Sequence, residues 1–237
     1  MKNRHLPFLL PFRCIIFFLI FIISSAVLNK SLDEISNIWS VVATVVNIIT
    51  IFILILATKK NGGYLKLINY EKGKTSVKQV ILITLLVLLV GMGGMYLAGF
   101  ICYGVIPYAA PMMIAPIPLW LAVINVVLLP VSTALAEDGL YLGCGVNNIE
   151  NKYLAILLPA FFFALQHSFI PFLFDIRYII YRFLSFLPLT IILCIHYHKN
   201  RNPLPIMISH AVIDIATVVQ IVLTSAIPGF YDLMCSM

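Results

Sequence analysis

The chain has 237 residues, of which 62% are hydrophobic and only 10% charged, with a mean hydropathy of +1.07. Soluble domains carry about 25% charged residues, so this composition excludes them and places the chain in a membrane. The net charge of +6 comes from basic residues gathered at the N-terminus and in one long loop, where they set topology and require no nucleic-acid partner.

Lys2 and Arg4 precede an apolar run over residues 7–28. That run exceeds the roughly 7–15 residues of a signal-peptide core, which predicts an uncleaved first membrane helix. Residues 29–37 read as a short polar loop with Asp33 and Glu34. Residues 38–58, rich in Val and Ile, read as a second helix, since in lipid the backbone must bond itself. Residues 59–78 carry six lysines and one glutamate, the pattern of a solvated cytoplasmic loop, which puts the N-terminus on the same side after two crossings.

A third helix is expected over residues 79–102, with Gly91, Gly93, Gly94 and Ala98 as positions of close helix packing. Pro107, Pro111 and Pro116 space a connection over residues 103–116. The fourth helix starts at Pro118, is kinked by Pro130 and is loosened at its end by Gly139 and Gly143. After a loop over 144–152, a fifth helix carries His167 ahead of Pro171. A sixth ends near residue 195, where His196 and His198 read as an interfacial cap. A seventh runs from 203 or 205 to 224 with His210 and Asp214, and residues 225–237 form a surface tail.

The expected fold class is all-α: one polytopic integral membrane helical bundle over residues 1–237. It has about seven transmembrane helices, or eight if residues 103–146 hold a further short crossing. Cys14, Cys102, Cys144, Cys194 and Cys235 form no CxxC pair and read as small hydrophobes, with neither disulfide nor metal assigned to them.

Within this apolar background Glu137 and Asp138 stand side by side at the end of a membrane run. Charged groups at membrane depth are expensive, which makes them functional candidates by default. Peptide hydrolysis needs an activated water, stabilisation of a tetrahedral oxyanion and a proton for the leaving amine. Glu137 is the candidate general base. His210 and Asp214, four apart, share a helix face, and with His167 they could either give Zn²⁺ three ligands and an open water position or work without metal. Counted at about 1.5 Å per residue, His167 lies deeper than Glu137 and His210, so closing the cluster requires the fifth helix to begin deeper, tilt or break.

Glu137-Asp138-x-x-Tyr141-Leu142-Gly143, Phe163-x-x-x-His167 and His210-x-x-x-Asp214 resemble, in order and spacing, the three motifs of the CPBP intramembrane proteases. That family, also called Abi, includes CAAX prenyl endopeptidases of the Rce1 type and bacteriocin-processing or immunity proteins. The resemblance covers roughly residues 118–225 and marks them as the catalytic core. It implies that Glu137 activates water, that His167 holds it, and that His210 with Asp214 stabilises the oxyanion. Asp138 stands where the family has a second glutamate, and Leu142 stands where it has an arginine that would pair with the carboxylates.

The expected activity is that of an intramembrane endopeptidase of a prokaryotic plasma membrane, acting on a membrane-associated peptide or protein, prenylated CAAX-type or bacteriocin-like. The resemblance leaves open zinc at His167, His210 and Asp214. Two other readings fit the same residues: an inactive immunity or scaffold member, favoured by Leu142, and a small proton-coupled transporter. The oligomeric state is not encoded in any recognisable pattern.

Overall fold

In a chain this apolar, only helices and closed barrels satisfy their own backbone groups in lipid, and all regular structure among the described residues is helical. The computed structural model describes residues 4–106 and 110–236, so Lys2 and Pro107 lie outside the described residues. Six helical stretches are long and apolar enough to cross a membrane: Leu6–Leu28, Trp39–Asn61, Val77–Tyr103, Leu119–Val146, Ile176–Asn200 and Leu204–Ala226. The expected polytopic bundle is therefore present. Six spans stand where about seven were expected: the expected fifth crossing is the shorter apolar helix Leu154–His167, which at about 21 Å is too short to cross the hydrocarbon core alone. Among the described residues no eighth crossing lies between residues 103 and 118.

Helix α1, Phe12–Leu28, follows a short 3-10 turn and ends at Asn29 in a left-handed conformation. The next segment is not the simple loop expected. Ser31 accepts a hydrogen bond from the Glu34 amide while the Glu34 side chain accepts one from the Ser31 amide, a reciprocal cap that starts α2, Leu32–Ser36. This buries Ile35 in the core. Helix α3 then spans Trp39–Thr58.

The lysine-rich segment also departs from a purely solvated loop. Its six lysines are exposed, but Gly62 and Gly63, both at positive φ, reverse the chain into a short helix α4, Gly63–Leu67. Leu67 and Ile68 are buried there, and the Tyr64 hydroxyl donates to the Leu135 carbonyl at 2.5 Å. The segment is a wedge with a charged rim.

Helix α5, Val77–Tyr103, begins with a second reciprocal cap, Ser76 with Gln79. Of its glycines, Gly94 lies directly on the backbone carbonyl of Ser185, Gly91 faces Leu189 and Ile213, and Gly93 faces open space. Helix α6, Leu119–Thr133, contains Pro130 in its last turn and passes into a wider π-helix, Ala134–Val146. The expected loop at 144–152 accordingly starts three residues later. Close approach explains two glycines here: a Cβ on Gly139 would lie 2.7 Å from Tyr64 and one on Gly143 2.8 Å from Leu67.

Helix α7, Leu154–His167, pairs with α8, Ile176–Asn200, which also packs on α5. Helix α9, Leu204–Ala226, packs on α5 and α6, and the expected surface tail contains a short helix α10, Phe230–Ser236. The arrangement places the π-helix among α3, α7, α8 and α9. Nearly every side chain along it is buried.

Candidate active site

Extended π-helical backbone is rare, and π-bulges concentrate at functional sites. Here the π-helix carries Glu137 and Asp138, which are 2% and 0% exposed. Helix α7 ends on His167, and α9 brings His210 and Asp214 to the same place. His167 Nε2 and His210 Nε2 lie 3.9 and 3.7 Å from Glu137 Oε2, and His210 Nδ1 lies 3.5 Å from Asp138 Oδ1.

The depth problem posed by His167 is thus resolved by a short α7 that stops at the cluster. Its last carbonyls, Leu165, Gln166 and His167, accept from the amides of Ser168, Phe169 and Ile170 in a closing turn. The buried Arg182 side chain of α8 braces this turn, with Nε donating to the His167 carbonyl at 3.2 Å and Nη2 to the Ile170 carbonyl at 2.9 Å.

The imidazole of His167 is held on both its edge and its face. Nδ1 lies 2.8 Å from the Phe163 carbonyl; because a carbonyl only accepts, Nδ1 carries the proton and Nε2 presents a lone pair toward Glu137. Phe186 stacks on the ring at 3.6 Å between centroids, with the Arg182 guanidinium over Phe186 in turn.

His210 has a neighbour beyond the expected one. Among the described residues its carboxylate contact at Nδ1 is Asp138. Spacing along one helix links His210 with Asp214; tertiary packing adds Asp138 of the π-helix beside it.

The sequence reading missed Arg13. This α1 residue is fully buried. Its Nη2 donates to Glu137 Oε1 at 2.8 Å, its Nε to Gln166 Oε1 at 2.6 Å and its Nη1 to Thr50 Oγ1 at 3.2 Å. Gln166 Oε1 also accepts from the Tyr141 hydroxyl at 3.0 Å. A lone arginine within an apolar run was the available signal.

Among the described residues, Glu137 Oε2, both Asp138 oxygens, His210 Nδ1 and Asp214 Oδ2 make no hydrogen bond of normal geometry. Buried polar atoms are ordinarily paired, so this convergence is suited to a polar reactant. The same residues do not fit zinc. His167, His210 and Asp214 form no three-ligand metal set among the described residues, and a guanidinium already holds one oxygen of the nearest carboxylate, Glu137. His196 and His198, beside Asn200 and Arg201, form polar contacts at the end of α8 and stand apart from this cluster.

Residues 118–216 match the family model described as Type II CAAX prenyl endopeptidase Rce1-like. No curated protein and no solved structure matches the chain. The matched segment contains Glu137, Asp138, His167, His210 and Asp214, the residues on which the resemblance was drawn. Residues 118–216 of this polytopic helical membrane chain are thus similar to the CAAX prenyl endopeptidases of the Rce1-like type.

Proposed function

We propose that the protein is an intramembrane endopeptidase that cleaves a membrane-associated peptide by glutamate-activated water. The observation that carries this reading is the asymmetry of Glu137: Oε1 is held by Arg13, while Oε2 is left without a hydrogen bond and faces two imidazoles at 3.7 and 3.9 Å. A water about 2.8 Å from Oε2 and from His167 Nε2 would donate one hydrogen to each, leaving an oxygen lone pair for the substrate carbonyl.

Glu137 takes the proton as the water attacks. His210, backed by Asp138, donates toward the oxyanion and Glu137 returns its proton to the leaving amine, so protons balance over the cycle. Asp214, four residues beyond His210 on α9, adds a second carboxylate on the same helix face. Burial excludes bulk water and strengthens each of these interactions.

The substrate fits a CAAX-type or bacteriocin-like peptide at the inner face of a prokaryotic plasma membrane, with the N-terminus cytoplasmic by the exposed lysine segment. Zinc is proposed to be dispensable. The inactive-member reading rested on Leu142, and Arg13 against Glu137 weakens it.

The test uses quenched membrane-anchored peptides and purified protein in lipid. Glu137→Ala should lower turnover about 10²–10⁴-fold, the usual weight of a general base, and a strong chelator should leave wild-type turnover unchanged. Equal turnover in wild type and mutant would reject the mechanism, and chelator-sensitive turnover restored by zinc would reject its metal-free form.

A further inference from the structure

We propose that Arg13 is the active-site cation, a positioning residue supplied by the first helix in place of the arginine missing at position 142. This rests on the endopeptidase reading above and names the group that keeps its general base in place.

Position 142 lies one π-turn beyond Glu137, and i→i+5 bonding brings these two positions toward one face of the π-helix. An arginine there would reach back to the carboxylates. Leu142 is instead fully buried among apolar neighbours. The charge it cannot provide is present nonetheless, because Arg13 approaches Glu137 from 124 residues earlier in the chain.

The side chain is suited to orientation. A guanidinium has a rigid planar fork of donors, whereas an ammonium is a point charge. Arg13 uses Nη2 on Glu137 and Nε on Gln166, while Nη1 reaches Thr50 of α3. Gln166 immediately precedes His167 and is also bound by Tyr141. One arginine therefore ties the carboxylate helix to the helix that carries the proposed water-holding histidine. It fixes Glu137 Oε1 and leaves Oε2 turned toward His167 and His210.

Among the described residues the buried arginines are Arg13 and Arg182. Arg182 is engaged by the carbonyls of His167 and Ile170. Arg13 is accordingly the buried arginine that pairs with a site carboxylate. The functional unit then extends beyond residues 118–216 to a helix that the family match does not include.

The test compares wild type, Arg13→Met, Arg13→Lys, Leu142→Arg and the double variant Arg13→Met/Leu142→Arg, for peptide turnover in lipid and for thermal unfolding. Arg13→Met should lower kcat about 10²-fold, as expected when a reacting group is displaced, with KM within about twofold because the peptide does not touch Arg13. Arg13→Lys should keep at least about tenfold more turnover than Arg13→Met. The double variant should recover kcat to within about tenfold of wild type, a relocation of charge that a merely structural role would not rescue.

A folded Arg13→Met with wild-type kcat would overturn the proposal, as would a folded double variant no more active than Arg13→Met. If neither variant folds, Arg13→Lys decides: reduced kcat at unchanged KM is expected, and wild-type kcat overturns it. If wild type shows no turnover, the endopeptidase reading fails separately, and unfolding carries the test. Arg13→Met and Glu137→Gln should then be strongly non-additive, with Leu142→Arg restoring the melting temperature; additive shifts would overturn the proposal.

Discussion

The surroundings of Arg13 and of Arg182 contrast two uses of a buried guanidinium. Arg182 meets carbonyl oxygens and fixes backbone at the end of α7. Arg13 meets a carboxylate, an amide and a hydroxyl from three different helices. The first closes a helix end that lipid cannot solvate; the second sets the direction of a reacting group. The same side chain thus serves architecture in one place and orientation in the other, and the partner set decides which.

Four substitutions break or sharpen that contrast. Arg13→Met leaves a buried carboxylate without its counter-charge and should destabilise by about 3–5 kcal/mol, measured by unfolding in mixed micelles. Adding Glu137→Gln should recover part of that loss. Arg182→Met orphans the Ile170 carbonyl and leaves the His167 carbonyl with the Ile170 amide alone, at roughly 1–3 kcal/mol; Glu137→Gln should recover none of it, and amide exchange over residues 168–175 should rise.

Gly139→Ala would drive a Cβ into Tyr64 and Leu54 and should cost about 1–3 kcal/mol by overpacking. Turnover should fall with it, because the wedge of α4 bears on the carboxylate helix. The smallest effect is expected from Phe186→Leu, which removes the ring stacked on His167 and should cost about 0.5–1.5 kcal/mol. Its melting shift should be paired with a modest fall in kcat.

The helices were largely legible because lipid leaves the backbone so few options, and their limits came close to those observed. Carboxylates and imidazoles also stand out in an apolar sequence, and Glu137, Asp138, His167 and His210 are linked by contacts under 4 Å. What was hidden depends on tertiary contact. Helical spacing pairs His210 with Asp214, but packing turns Asp138 toward it. Charge counting reads residues 59–78 as solvated, while the apolar pattern Tyr64, Leu67 and Ile68 within it marks the buried wedge. The π-helix has no simple signature in residue order. Arg13 meets Glu137 across 124 residues of chain, so no local spacing ties the first helix to the late motifs.

The distance in sequence between Arg13 and Glu137 has a consequence in time. At about 5–20 residues per second of synthesis, 124 residues separate the two by roughly 6–25 s. During that interval the first helix sits in or near the bilayer without its counter-charge. Arg13 lies in the second position of α1, close to the helix start, so its long side chain can reach the headgroup region by snorkelling. Nascent chains stalled before residue 137 should therefore leave Arg13 open to a water-soluble guanidine-directed reagent, while completed chains protect it. The first helix waits at the interface as a half-built site, and the arrival of the fourth span draws its charge inward.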